Sequence, residues 1–184
     1  RGAAYIFDLS GGNWNERADI SLGTVGVSGD QFGYSVALDG NRALVGAPYR
    51  DGNKGTAYIF DLSGGNWTEP ADISLGTFGV SGDFFGESVA LDGSRALVGA
   101  YGRDGFRGAA YMFDLSGGNW TETADITLGT FGVSGDVFGF SVALDGSRAL
   151  VGAPGRGGLR GAAYIFDLSG GNWNERADIS LGTV

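Results

Sequence analysis

The sequence predicts an all-β protein of tandem four-stranded antiparallel blades, β-propeller-like in arrangement, and three observations predict it. Aromatic landmarks recur every 53 residues: Tyr5, Tyr58, Tyr111 and Tyr164, and likewise Trp14, Trp67, Trp120 and Trp173. Within each unit, bulky and small residues alternate with the period of two that marks a strand. Glycine doublets at fixed places separate the apolar runs, as hairpins require. No stretch has helical periodicity. A β-solenoid of the same repeat is the alternative fold, although a solenoid coil has a shorter period.

Residues 26–78, 79–131 and 132–184 form three whole units, and residues 1–25 form a leading half blade carrying strands three and four. In the first whole unit, Gly26–Asp30 is a turn-rich lead-in. Strand one follows over Phe32–Leu38, with Phe32, Tyr34, Val36 and Leu38 on one face and Gly33, Ser35 and Ala37 on the other. Asp39-Gly40 signals a type I′ hairpin, and it recurs at Asp92-Gly93 and Asp145-Gly146. Strand two, Arg42–Ala47, is apolar on both faces and so reads as buried on both. A loop over Pro48–Gly55 leads to strand three, Thr56–Leu62. Ser63-Gly64-Gly65-Asn66 makes the next hairpin. In strand four, Trp67, Glu69, Ala71, Ile73 and Leu75 alternate with Thr68, Pro70, Asp72 and Ser74. A polar face and a proline mark that strand as the edge. The gradient from small and buried to polar and exposed is what a propeller blade needs from axis to rim.

Residues 160–184 repeat residues 1–25 letter for letter. Terminal repeats normally differ as caps, so this is the pattern of a window on a longer array. The chain starts inside a repeat with no signal peptide visible, and the native N-terminus is expected upstream. A closed propeller needs at least four blades. The expectation is therefore a segment of a longer array, or an open assembly in which the free strand edges of Gly2–Leu22 accept another chain.

Of the 184 residues, 42% are apolar, which excludes a disordered composition. The 37 glycines are about three times the usual share. Twelve basic and 21 acidic residues leave a formal net charge of −9, the wrong sign for nucleic acid or an anionic membrane surface. Cysteine is absent, and with it disulfides and thiol chemistry; histidine is absent, and with it the commonest general base. No apolar run reaches the roughly 20 residues of a membrane span.

Phe32-Gly33 followed by Gly46-Ala47-Pro48, repeated as Phe138-Gly139 with Gly152-Ala153-Pro154, resembles the FG-GAP repeat; the middle unit keeps Phe85-Gly86 but has Gly99-Ala100-Tyr101. Gly33-Tyr34-Ser35-Val36-Ala37 and Gly108-Ala109-Ala110-Tyr111 also look like that family. It includes integrin α heads and secreted or surface bacterial proteins. The resemblance implies a β-propeller interaction module, outside the cell or on its surface. Many members carry a calcium loop of the D-x-D-x-D-G type between the two motifs. Here Leu38-Asp39-Gly40-Asn41-Arg42 holds one carboxylate, whereas calcium wants six to eight oxygens, so no metal or other cofactor is assigned.

The aspartates Asp30, Asp39, Asp61 and Asp72 recur in every unit and read as turn formers and solvated faces rather than catalytic carboxylates. The tryptophans read as anchors packing between blades rather than a sugar platform. With no nucleophile–base pair or phosphate loop, no catalytic residue is assigned and no enzyme is expected. The units differ at Gln31/Phe84/Val137, at Tyr34/Glu87/Phe140, and in the loop after strand two. That loop supplies Tyr49 and Arg50, then Tyr101, Arg103, Phe106 and Arg107, then Arg156. In an up-and-down blade these positions share one face, opposite the hairpins, and this variable face is the candidate binding surface. The expected function is an extracellular structural or adhesive repeat scaffold, the alternative a lectin-like or protein-binding propeller head. The expected partners are copies of itself or neighbouring repeats, and a glycan or matrix protein.

Overall fold

A computed structural model describes residues 2–180, apart from the side chain of Pro70. Strands β1 (Ala4–Ser10) and β2 (Asn13–Ile20) pair as a two-stranded sheet. Three four-stranded sheets follow: β3 (Ser35–Asp39) to β6 (Asn66–Ile73), β7 (Ser88–Asp92) to β10 (Asn119–Ile126), and β11 (Ser141–Asp145) to β14 (Asn172–Ser180). Their inner members are β4 (Arg42–Ala47) and β5 (Thr56–Ser63), β8 (Arg95–Ala100) and β9 (Ala109–Ser116), and β12 (Arg148–Ala153) and β13 (Ala162–Ser169). Each sheet is an antiparallel meander in chain order, so the solenoid alternative falls: successive units do not continue one another as parallel coils.

Three apolar interfaces join the four sheets in sequence. Ile6 and Ile20 of the half blade pack with Phe32, Val45, Tyr58 and Phe60. Leu44, Ile59, Ile73 and Leu75 meet Phe85, Val98, Tyr111 and Phe113. Leu97, Met112, Ile126 and Leu128 meet Phe138, Val151, Tyr164 and Phe166. Strand two of the first two whole blades is buried on both faces because alternate positions serve opposite interfaces: Val45 and Ala47 one and Leu44 the other, then Val98 and Ala100 one and Leu97 the other. The motif phenylalanine is an anchor; Phe85, fully buried, lies 5.9 Å from both the Tyr111 and Phe113 rings.

Three local expectations need correction. Strand one begins at Ser35, not Phe32: Gln31 (φ 53°) and Gly33 (φ 90°) put the Phe-Gly motif in a tight left-handed turn ahead of the strand. The first hairpin turns on Gly40 and Asn41 between the pair Asp39 and Arg42, with positive φ at Gly40 alone, the pattern of a II′ rather than a I′ turn. The Gly64-Gly65 hairpin, positive at both residues (φ 58° and 84°), has the I′ pattern. Strand four does not alternate throughout. A register shift between Ile59 and Asp61 breaks it, as equivalent shifts do in the other sheets. The bulge turns Trp67 towards the Tyr58 and Phe60 cluster, while Ile73 and Leu75 join the opposite one.

The two halves of the sequence motif meet across the blade interface. A Cβ built on Gly46 would lie 2.0 Å from the Gly86 carbonyl oxygen of the next blade and 2.3 Å from Ser35 Oγ. That hydroxyl donates to the same Gly86 carbonyl at 2.7 Å, and Ser88 repeats the bond to Gly139 at 2.8 Å. Gly46 therefore stays a glycine because a neighbouring backbone occupies its side-chain space. At Gly152 the nearest groups to the built Cβ all belong to Ser141, and no further blade of the described residues lies against it. Gly99→Ala should cost about 3 kcal/mol in urea unfolding, and Gly152→Ala under about 1 kcal/mol, because only the first forces two blades apart. Equal losses would show that the blade contact is not the constraint.

Candidate functional site

The variable face is built by folding each loop after strand two onto the lead-in of the next blade. Asp51, Gly52 and Asn53 are all left-handed (φ 51°, 68° and 69°), and the turn delivers the Asn53 carbonyl to two amides of the next lead-in. Gly82 N–H and Phe84 N–H donate to it at 3.0 and 3.1 Å, and Phe85 N–H donates to the Lys54 carbonyl at 3.0 Å. Phe106 and Arg107 receive the corresponding amides of Gly135, Val137 and Phe138. Within the seam Phe84 and Val137 have φ of 54° and 50°, and the equivalent Gln31 has φ 53°. For a β-branched residue such as Val137 that is a strained backbone.

An ion pair locks each lead-in. Asp30, Asp83 and Asp136 are buried, and each accepts a backbone N–H from three residues upstream: Val27 at 2.9 Å, Val80 at 2.9 Å and Val133 at 2.8 Å. The same carboxylates pair with Arg50 (2.6 Å), Arg103 (2.9 Å) and Arg156 (2.8 Å). Each guanidinium also donates to the carbonyl of Val25, Phe78 or Phe131. Three arginines of the candidate surface thus have internal partners. The aspartates do more than form turns, because each joins two loops of one blade. Arg107 pairs with Asp104 at 3.4 Å, and Gln31 is exposed.

The aromatic members of the surface converge across the blades. Tyr34 and Tyr49 ring centroids lie 6.1 Å apart, Tyr49 and Phe84 5.4 Å, Phe84 and Tyr101 5.0 Å in a stacked pair, and Tyr101 and Phe140 5.6 Å. Phe106 joins Tyr101 at 6.0 Å. The outcome is a continuous aromatic band from the first whole blade to the third, its ends half exposed at Tyr34 and Phe140.

Glu87 sits within this band. It is 8% exposed, and its Oε2 has no hydrogen-bond partner among the described residues. Burial pushes its pKa up, opposed by a hydrogen bond from the Tyr34 hydroxyl. The same hydrogen bond, with the carboxylate's charge, pushes Tyr34 up to about 12. Tyr101 is raised by burial and then by Glu87.

The opposite face is structural. Arg42 pairs with Asp61 at 2.6 Å and lies 5.3 Å over the Trp120 ring of the next blade. Arg95 does the same with Asp114 (2.7 Å) and Trp173 (5.4 Å). The Gly93 amide donates to Asp39 at 2.5 Å, and Gly146 donates likewise to Asp92. Among the described residues no group of three or more Asp or Glu converges as a metal site.

A family model described as "FG-GAP repeat" matches residues 14–60, 67–113 and 120–166. Each match runs from the tryptophan of one blade's outer strand through the third strand of the next, so the sequence repeat straddles two blades. Among solved structures, the crystal structure of TolB from Acinetobacter baumannii is similar, with a TM-score of 0.50 and 18% identity. The likeness covers 94% of this chain and 37% of that one, and it concerns the fold alone. No curated protein matches the chain.

Asp83→Ala should cost about 3 kcal/mol in chemical unfolding, because it strands Arg103 and the Val80 amide together. Glu87→Phe, which installs the residue of the third blade, should stabilise the fold at pH 7 by about 1–2 kcal/mol. A carboxyl whose folded pKa is raised favours the fold while protonated, and that contribution is lost as pH rises through the folded value. The gain from Glu87→Phe should therefore shrink on acidification towards the ordinary carboxylate range. Thermal melts of both proteins from acid to neutral pH check the sign.

Proposed function

We propose, from the premise that this chain belongs to the FG-GAP repeat family, that it is a non-enzymatic adhesive repeat scaffold, placed outside the cell or on its surface. The aromatic band carries this reading. Near-identical units differ mainly where their loops meet, and the differing residues form one continuous surface of Tyr34, Tyr49, Phe84, Tyr101 and Phe140. Large rigid aromatic rings supply contact area at low entropic cost, which suits a glycan or a matrix protein. Among the described residues, no helix is long and apolar enough to cross a membrane.

Assembly with further repeats or copies of the chain is supported by its end sheets. Tyr5 and Phe7 of the half blade are exposed, whereas their counterparts Tyr58 and Phe60 are buried by the preceding sheet. Leu150 and Ile179 are exposed on the last sheet, where Leu97 and Ile126 are buried. A further blade placed at either end repeats an interface the chain already makes three times. The same band serves the alternative, a discrete lectin-like or protein-binding head, which differs in forming no fibre or string under negative-stain microscopy.

The test replaces Tyr34, Tyr49, Tyr101 and Phe140 with serine and measures retention on immobilised glycans and purified matrix proteins. Retention of the parent on at least one surface and a tenfold or greater loss in the variant, with an unchanged circular dichroism spectrum, is expected. Equal retention of the two proteins, or none for the parent, would overturn the reading.

A further inference from the structure

The hairpin between strands three and four recurs in the half blade and in all three whole blades, with one chemical difference. It opens as Asn66-Trp67-Thr68 in the first whole blade and Asn119-Trp120-Thr121 in the second. In the half blade and the third whole blade it opens as Asn13-Trp14-Asn15 and Asn172-Trp173-Asn174. An asparagine with threonine two places on, and no proline between, is the acceptor sequence for an N-linked glycan. Two copies of the hairpin therefore carry that sequence, and the other two lack it by one residue.

The fold leaves both acceptors accessible. Asn66 and Asn119 are exposed and open strands β6 and β10, directly after the glycine pairs of the turn. Thr68 and Thr121 are exposed too, while Trp67 and Trp120 between them are half-buried. The two threonine hydroxyls donate across the sheet to the Asp61 and Asp114 carbonyls at 3.4 and 3.5 Å. In the other two copies Asn15 and Asn174 instead fold back on the Asn13 and Asn172 carbonyls at 3.1 and 3.0 Å. Among the described residues the Asn66 and Asn119 side chains make no hydrogen bond, so their amide nitrogens are open to reaction. The hairpins lie on the face opposite the variable loops, and β6 and β10 are the outer members of their sheets. A group attached at either asparagine projects from the rim, clear of the aromatic band and of the apolar interfaces between blades.

We propose that Asn66 and Asn119 are acceptor sites for N-linked glycans. The proposal rests on the placement outside the cell in the reading above, which takes the chain through a secretory route, and adds a modification to it. The donor is a lipid-linked sugar diphosphate. The asparagine Nδ2 bonds to the anomeric carbon of the sugar, and the bond from that carbon to the diphosphate oxygen breaks. The lipid diphosphate leaves, and the amide gives up one proton to a basic group of the transferase. The threonine hydroxyl is what the transferase reads, and Asn15 and Asn174 offer an amide in its place. The attached sugars shield the outer edges of β6 and β10, whose unpaired backbone groups are otherwise open to another chain.

The experiment directs the intact chain through the secretory pathway of a eukaryotic cell. The secreted product is treated with peptide N-glycosidase in heavy-oxygen water, which turns each occupied asparagine into labelled aspartate, and is mapped by peptide mass spectrometry. Label at Asn66 and Asn119, with Asn13 and Asn172 unlabelled, is the expected result. Thr68→Ala should empty Asn66, Thr68→Ser should keep it occupied, and Asn15→Thr should bring label to Asn13. The main readout is taken on the parent chain, so a poorly folded variant leaves the test intact. A secreted parent bare at both asparagines, label spread equally over all four hairpins, or undiminished label at Asn66 in Thr68→Ala would overturn the proposal. Retention of the parent on glycan or matrix surfaces separates this proposal from the scaffold reading. Bare hairpins with retention present remove the acceptor sites alone, and occupied hairpins with no retention remove the adhesive role alone.

Discussion

The Gly86 carbonyl of one blade occupies the space that a side chain at residue 46 of the previous blade would need. Gly139 stands in the same relation to Gly99. This backbone-to-backbone approach sets how near the inner strands lie, and the rest of the structure follows from it. With the backbones that close, Gly46 and Gly99 have no room for a side chain, and the bulky residues of strands two and three fill the interfaces between blades. Serine hydroxyls tie the approach with a hydrogen bond, since a buried carbonyl there needs a donor. The Gly-Ala element of one blade and the Phe-Gly element of the next are two sides of one contact, so each copy of the motif serves two blade interfaces.

Outside that contact, charge pairing separates the two faces. On the hairpin face, arginine, aspartate and tryptophan bind one blade to the next. On the loop face, the Asp30–Arg50 type of pair fixes each lead-in and leaves the aromatic residues to make the surface. Glu87 departs from this economy as a buried acid in a scaffold that otherwise pairs its buried acids. A repetitive framework makes such a departure legible, because the sister blades show what the position holds when it serves packing alone.

Strand positions were readable because alternation and glycine doublets report local backbone preference. Arg42–Ala47 and Thr56–Leu62 lie where the pattern put them, to within a residue. Phe32 and Gly33 continue the alternation of strand one, and nothing local reveals that residue 31 is left-handed and places them in a turn ahead of it. Trp67 was assigned to the face of Ile73 because counting by twos cannot see a bulge. The grouping of Tyr34, Tyr49, Phe84, Tyr101 and Phe140 on one face was legible from blade topology and from the places where units differ. The commitment of Arg50, Arg103 and Arg156 to buried aspartates was not, because each pair closes over some 20 residues and depends on how two loops meet.

The sequence by itself determined the repeat, the four strands of each unit and their order, and the family to which the chain belongs, since these rest on periodicities that each short segment carries within itself. Only the tertiary structure decided which polar groups hold the blades together and which have no partner among the described residues. Arginine and glutamate look alike in a loop until a neighbouring chain segment supplies or withholds the opposite charge, and that is a matter of distance in space rather than along the chain.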